Sequence, residues 1–160
     1  MKHVLVVGGL GFIGSHTTRA LVDAGARCTV TRHRRADVAP FLAGDVDAGD
    51  VSIEAADVAD VATLRAIGQR RGHERVDAIV HLAGDVGAPL DVVKNSAVGL
   101  ANVLACASEW NVKRVVVAST LGVYAGAPAP VDGVWREDAL LTLWAPHAIP
   151  ARHSRSIRCA

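Results

Sequence analysis

The residues Gly8-Gly9-Leu10-Gly11-Phe12-Ile13-Gly14 constrain this chain most. They follow a short apolar run, Val4 to Val7, and open a stretch of helical periodicity. A continuous apolar run of that length suits a strand buried on both faces, as in a parallel sheet. The glycines at 8, 11 and 14 then have separate tasks. Gly8 permits a tight turn out of the strand, Gly11 lets the backbone approach a pyrophosphate, and Gly14 allows the helix to pack closely. The helix start offers unpaired N–H groups and a positive dipole end to phosphate. A glycine triplet alone is a weak signal; the strand–turn–helix context makes it a dinucleotide-binding signature.

The βα rhythm continues. The first helix is predicted from Phe12 to Ala24, with Phe12, Ile13, Ala20, Leu21 and Ala24 as core candidates and Gly25 ending it. Strands are expected at Cys28–Thr31, Val51–Ala55, Ala78–Leu82 and Arg114–Ala118. Helices are expected at Val61–Gln69, broken by Gly72, and at Val92–Trp110. Phe41 to Asp50, rich in Gly and Asp, reads as a surface loop. Five strands alternating with helices argue for an α/β fold, a Rossmann-type doubly wound parallel sheet.

Where the second strand ends, an acid would bond the ribose 2′-hydroxyl of NAD. This sequence has Arg32 there, followed by His33, Arg34 and Arg35. Guanidinium groups bind phosphate through paired hydrogen bonds. NADP is therefore the expected cofactor, with NAD as the alternative. A basic, solvated loop without phosphate contact is the simpler reading of the same residues.

Composition narrows the remaining classes. Seventeen basic and sixteen acidic residues give a net charge of +1, so no global charge points to nucleic acid or an anionic membrane. The N-terminus does not read as a signal peptide, and no apolar run approaches the roughly 20 residues that span a bilayer. Cys28, Cys106 and Cys159 are widely spaced, with no metal-binding pattern, and read as reduced thiols of a cytoplasmic protein.

From Val4 to about Glu137 the chain resembles the extended short-chain dehydrogenase/reductase family, the NAD-dependent epimerases and dehydratases of nucleotide sugars. The glycine turn with Phe12-Ile13 matches the family's G-x-x-G-F-I-G. Asp57-Val58 matches its acid–aliphatic pair, which in relatives contacts the adenine. His81-Leu82-Ala83-Gly84 matches the H-L-A-A/G motif whose backbone lines the cofactor. Asn95 falls on the family's structural asparagine, and Val112 to Val116 on the run into the fifth strand. Ser119-Thr120-Leu121-Gly122-Val123-Tyr124 is similar to S-S-x-x-V-Y-G, and Trp135 to Asp138 to the acidic turn that follows. The resemblance implies cofactor contacts at Gly8, Gly11, Phe12, Ile13, Gly14, Arg32, Asp57, Val58, Leu82, Ala83, Gly84 and Asn95. It implies a catalytic hydroxyl at Thr120, a sugar-nucleotide substrate for the full-length form, and a homodimer built partly on the Val92–Trp110 helix. Blander roles stand beside these. Asp57 and Asn95 can be caps, and Thr120 a strand-end hydroxyl bonded to backbone. His81 reads as a satisfied core histidine, and Tyr124, Trp110, Trp135 and Trp144 as packing.

The chain departs from the family pattern at its chemical centre. In relatives a tyrosine and a lysine four residues later move the proton, the ammonium lowering the phenol's pKa. Tyr124 is the only tyrosine here, and Pro128 stands four residues on. Past Glu137 the pair would fall near Ile149 and His153, and neutral imidazole is a poor substitute for a permanent cation.

Residues 1–145 thus read as one cofactor-binding domain and 146–160 as an irregular basic tail, with the substrate domain of relatives absent. Ala151 to Ser156 can be encoded by bases that, read two bases later, give Pro-Ala-Phe-Lys-Lys, so the tail fits a frame-shifted end. Three functions follow: an epimerase-lineage region impaired in catalysis, a non-catalytic NADP-binding or redox-sensing module, or a non-functional product.

Overall fold

A computed structural model describes residues 2–34, 37–69, 75–84, 87–124, 130 and 132–138. The basic tail, Gly72, Arg35, Trp144 and Cys159 lie outside these. The chain divides into two compact units, Met1–Ala118 and Ser119–Ala160.

The first unit alternates strands and helices: β1 (His3–Val7), α1 (Phe12–Asp23), β2 (Arg27–Arg32), α2 (Pro40–Ala48), β3 (Val51–Ala55), α3 (Val61–Gln69), β4 (Ala78–His81), α4 (Pro89–Val92), α5 (Gly99–Glu109) and β5 (Arg114–Val117). Between α4 and α5 the backbone keeps turning as a π-helical segment, Val93–Val98. All strand pairs are parallel, in the order β3-β2-β1-β4-β5. The strand order reverses between β1 and β4, so a crevice opens at the carboxyl ends there.

Two apolar layers cover β1 to β4, while Val116 and Val117 of the edge strand β5 are exposed. On one face Leu5, Val7 and Ile79 meet Leu64 and Ile67 of α3 and Val103, Cys106 and Ala107 of α5. On the other, Val4, Val6, Cys28, Val30 and Val51 pack with Leu21 and Val22 of α1 and Val46 of α2. Both faces being covered explains why β1 reads as unbroken apolar sequence. Arg19 ties α1 to α2 through Asp45, at 2.7 Å.

Three expectations need correction. Phe41 to Asp50 is largely helix, not loop: α2 starts at Pro40 and ends before Gly49, whose φ is +81°. Phe12 and Ile13 are 80% and 63% exposed, and Ala20 and Ala24 are exposed too, leaving Leu21 only half-buried. The helix instead buries Gly14, Ser15 and Thr18, because the Thr18 hydroxyl is neutralised internally by donating to the Gly14 carbonyl at 2.8 Å. Third, Pro89–Glu109 forms one helix of 21 residues whose most apolar 18-residue window has a mean hydropathy of 1.2, long and apolar enough to cross a membrane by length and composition. Asp91 and Lys94 interrupt the apolar run, yet the mean over that window is high. Its Gly99, Val103, Cys106 and Ala107 nonetheless recur at the spacing of an amphipathic helix and are buried in this unit.

Cys28 and Cys106 are buried free thiols. Burial pushes the Cys28 thiol from 9.0 up to about 11. The unfolded chain ionises first, so the stability this neutral thiol contributes is complete below pH 9 and fades as pH rises towards 11. The urea midpoint should accordingly decline above pH 9, and Cys28→Ala should flatten that decline; an identical alkaline profile in the variant would contradict the assignment.

In the second unit, described on its own, Leu121–Tyr124 forms a 3₁₀ turn. The Tyr124 hydroxyl donates to the Arg136 carbonyl at 3.2 Å, and its ring lies 4.8 Å from that of Trp135.

Candidate functional site: a dinucleotide cleft

The glycine turn begins where β1 ends. Gly8 has φ +85°, and a Cβ there would lie 2.8 Å from the Ala83 backbone nitrogen. The turn therefore comes within contact of the segment after β4, and only glycine fits. A Cβ on Gly14 would overlap the Gly8 carbonyl oxygen, so the third glycine packs against the turn itself. Gly9, which the spacing argument passes over, is equally tight: its Cβ would meet the Val30 side chain of β2 at 2.6 Å. Gly11 differs, since an added Cβ would meet only the Gly8 oxygen, at 3.2 Å.

Hydrogen bonds hold this turn. Gly9 N–H donates to Val6, Gly11 N–H to Gly8, and Ser15 N–H to Gly11. Helix geometry leaves the N–H groups of Phe12, Ile13 and Gly14 without intrahelical acceptors. Phe12 and Ile13 thus offer backbone donors at the start of α1 while their side chains are exposed.

A cleft of about 340 Å³ opens at the strands' carboxyl ends. It is bounded by the glycine turn (Gly8, Leu10, Gly11), the end of β2 (Thr31 to Arg34), Ala56 and Val58 after β3, Leu82 to Gly84 after β4, and Asn95 of the π-helical segment. That volume lies within the range of small-molecule sites. Of the residues expected from sequence, the cleft gathers Gly8, Gly11, Arg32, Val58, Leu82, Ala83, Gly84 and Asn95. Leu10, Thr31, His33, Arg34 and Ala56 join them without having been singled out as contacts.

Phe12, Ile13, Gly14 and Asp57 do not line it. Asp57 holds its own loop, Oδ1 accepting the Ala59 N–H at 2.9 Å, and Oδ2 lies 3.6 Å from His33 Nε2. Asn102 of α5 donates to the Val58 carbonyl at 2.8 Å and fixes the same loop from the other side. Neither Arg32 nor Arg34 has an ion-pair partner among the described residues. Two unneutralised guanidinium groups beside a glycine cradle make a donor set suited to the phosphates of a dinucleotide.

His81 departs from the satisfied core histidine expected of it. It is buried, but its Nδ1 has no hydrogen-bond partner. Burial lowers its pKa, and the ring is held neutral between the strands. Thr120 belongs to the second unit, where its exposed hydroxyl oxygen accepts the Gly122 N–H at 3.1 Å.

Comparison with known proteins places the chain. Residues 4–147 match the family model described as the NAD dependent epimerase/dehydratase family. A UDP-glucose 4-epimerase of Azospirillum brasilense is 32% identical over 142 residues, covering 85% of this chain and 38% of that protein. Among solved structures, the UDP-Glc/GlcNAc 4-epimerase from Campylobacter jejuni aligns with a TM-score of 0.70 and 25% identity, over 89% of this chain and 43% of that one. The Bordetella bronchiseptica enzyme WbmG, in complex with NAD, aligns with a TM-score of 0.65 and 25% identity, over 81% of this chain and 40% of that one. The chain thus spans about two-fifths of the length of these relatives. It belongs to the NAD dependent epimerase/dehydratase family.

Proposed function

We propose that this chain is the dinucleotide-binding region of a nucleotide-sugar epimerase-like protein, that it takes NADP in preference to NAD, and that it binds without efficient turnover. The preference rests on one observation: Arg32 and Arg34 line the cleft at the end of β2, where an acid would select the 2′-hydroxyl, and no carboxylate among the described residues neutralises them. The substrate class follows from the names of the relatives. Impaired turnover follows from sequence, since a single tyrosine and Pro128 leave no Tyr-x-x-x-Lys pair to transfer the proton. Thr120 would then be a substrate-binding hydroxyl without its acid–base partner. A cytoplasmic location fits the free thiols of Cys28 and Cys106. Leu90, Val93, Val98 and Leu104 on the outer side of the α4–α5 helix are exposed and apolar, which supports a homodimer.

Arg32→Asp tests the cofactor assignment. Loss of one charge-assisted phosphate contact costs about 1.5–3 kcal/mol, so NADPH affinity should fall ten- to a hundredfold, with NADH affinity held or improved. Fluorescence titration of both cofactors reads the ratio, and an unchanged ratio would refute the preference. Formation of reduced cofactor on adding a UDP-sugar to the wild-type chain would refute the proposed impairment.

A further inference from the structure

Thr31 is 4% exposed, lines the cleft, and was not implicated by any motif. Its Oγ1 accepts the Gly8 N–H at 2.9 Å. The last backbone register pair between β1 and β2 is Val6 with Val30. Beyond it the chain turns away through Gly8 at φ +85°, and the Gly8 amide loses any strand partner. The threonine hydroxyl supplies that partner and so extends the β1–β2 pairing by one side-chain bond. The bond joins two parts of the cleft that recognise different parts of a dinucleotide: the glycine turn that cradles pyrophosphate and the strand end that carries Arg32.

We infer that Thr31 is a positioning residue for the dinucleotide, fixing the glycine turn relative to the Arg32 strand end by holding the Gly8 amide. The inference rests on the proposal that the cleft binds NAD(P). It differs from the role of Arg32, because Thr31 acts on the pyrophosphate cradle common to both cofactors. Its removal changes how tightly either cofactor binds and leaves the choice between them intact. An alkyl group of the same shape in its place leaves a partly buried N–H without its acceptor and frees the turn to shift.

The test uses the whole chain with NADPH, NADH and ADP-ribose as probes. Thr31→Val keeps shape and β propensity but cannot accept a hydrogen bond. It should weaken all three ligands by about tenfold, the size of one unmade hydrogen bond to a partly buried donor, with the NADPH/NADH ratio as in the wild type. Thr31→Ser keeps the oxygen and should restore affinity to within about threefold. The Gly8 amide resonance should move in the valine variant and return in the serine variant, a signature that mere loss of packing would not give. If Thr31→Val does not fold, Thr31→Ala removes the same acceptor and replaces it in the series. Unchanged affinities in the valine or alanine variant, or a serine variant no better than valine, overturn the role of Thr31. If Arg32→Asp still alters the cofactor ratio in that case, the cofactor reading survives and only this inference falls. A wild-type chain that binds none of the three probes overturns both.

Discussion

Gly14→Ala should lower stability by about 2–3 kcal/mol, the cost of forcing an extra carbon into a packed site, and abolish cofactor binding. The methyl group would overlap the Gly8 carbonyl oxygen and come within 2.8 Å of the Gly9 Cα in the same peptide unit. Both obstacles are backbone, so no rotamer change relieves the overlap. Either α1 lifts from the turn or the turn opens, and each outcome misplaces the N–H groups that face phosphate. Gly25→Ala is the matched control. Gly25 has φ +83° but open space around its missing side chain, so its replacement should cost only about 1 kcal/mol of left-handed strain. Urea denaturation of the two variants separates crowding from strain. Equal midpoints would mean that α1 is not wedged against the turn.

Leu42→Ala should be nearly as damaging, at about 2–4 kcal/mol for truncating a fully buried leucine. Leu42 is the only buried residue of α2 and has no measurable exposure. The helix is short, and a helix of nine residues is marginal without tertiary packing. Removing its one fully buried side chain, and leaving Val46 and the Arg19–Asp45 ion pair to hold it, should therefore loosen the whole element, not merely leave a cavity. Hydrogen exchange over residues 40–48 should accelerate more than that of β1 in the same variant. A change below about 1 kcal/mol, within the range of surface substitutions, would show that α2 does not depend on Leu42.

This helix also shows where the sequence misled. Its Gly44, Asp45 and Asp47 suggest a loop, and with one buried residue there is no apolar stripe to reveal a 3.6-residue period. The legible marks were its ends: Pro40 at the first position and Gly49 just past the last are helix punctuation. By contrast, the five strands and α3 follow directly from their patterns: burial on both faces keeps Val4 to Val7 of β1 apolar, and His3 before them is accommodated by its hydrogen bond with the Thr29 hydroxyl. Phe12 and Ile13 misled in the opposite direction. They look like core, yet the first turn of α1 leaves them uncovered, and Thr18, able to satisfy its hydroxyl within the helix, lies buried instead.

The cleft divides in the same way. Gly8, Gly11, Arg32 and Leu82 to Gly84 are contiguous in recognisable motifs and were readable. Thr31 and Gly9 act through β2, a strand more than twenty residues away in sequence, and no local pattern marks such a partner. Asn102 likewise reaches Val58 across 44 positions. Asp57 was legible as a residue but not as an arrangement: its carboxylate is engaged with its own loop and near His33.

The π-helical segment between α4 and α5 works as a phase slip. Its wider turn takes in an extra residue, so each residue downstream lags the angular position it would have in a uniform α-helix. Asn95, within the slip, lines the cleft, while Gly99, Val103 and Cys106, after it, are buried. A uniform helix reads a single stripe along its length; this one can serve two surfaces whose directions differ. Its cost is that the two duties are geared together. Deleting Ser96 or Ala97 would rotate the upstream portion against the sheet-bound portion and carry Asn95 around the helix axis, with no change in any side chain that touches the cleft.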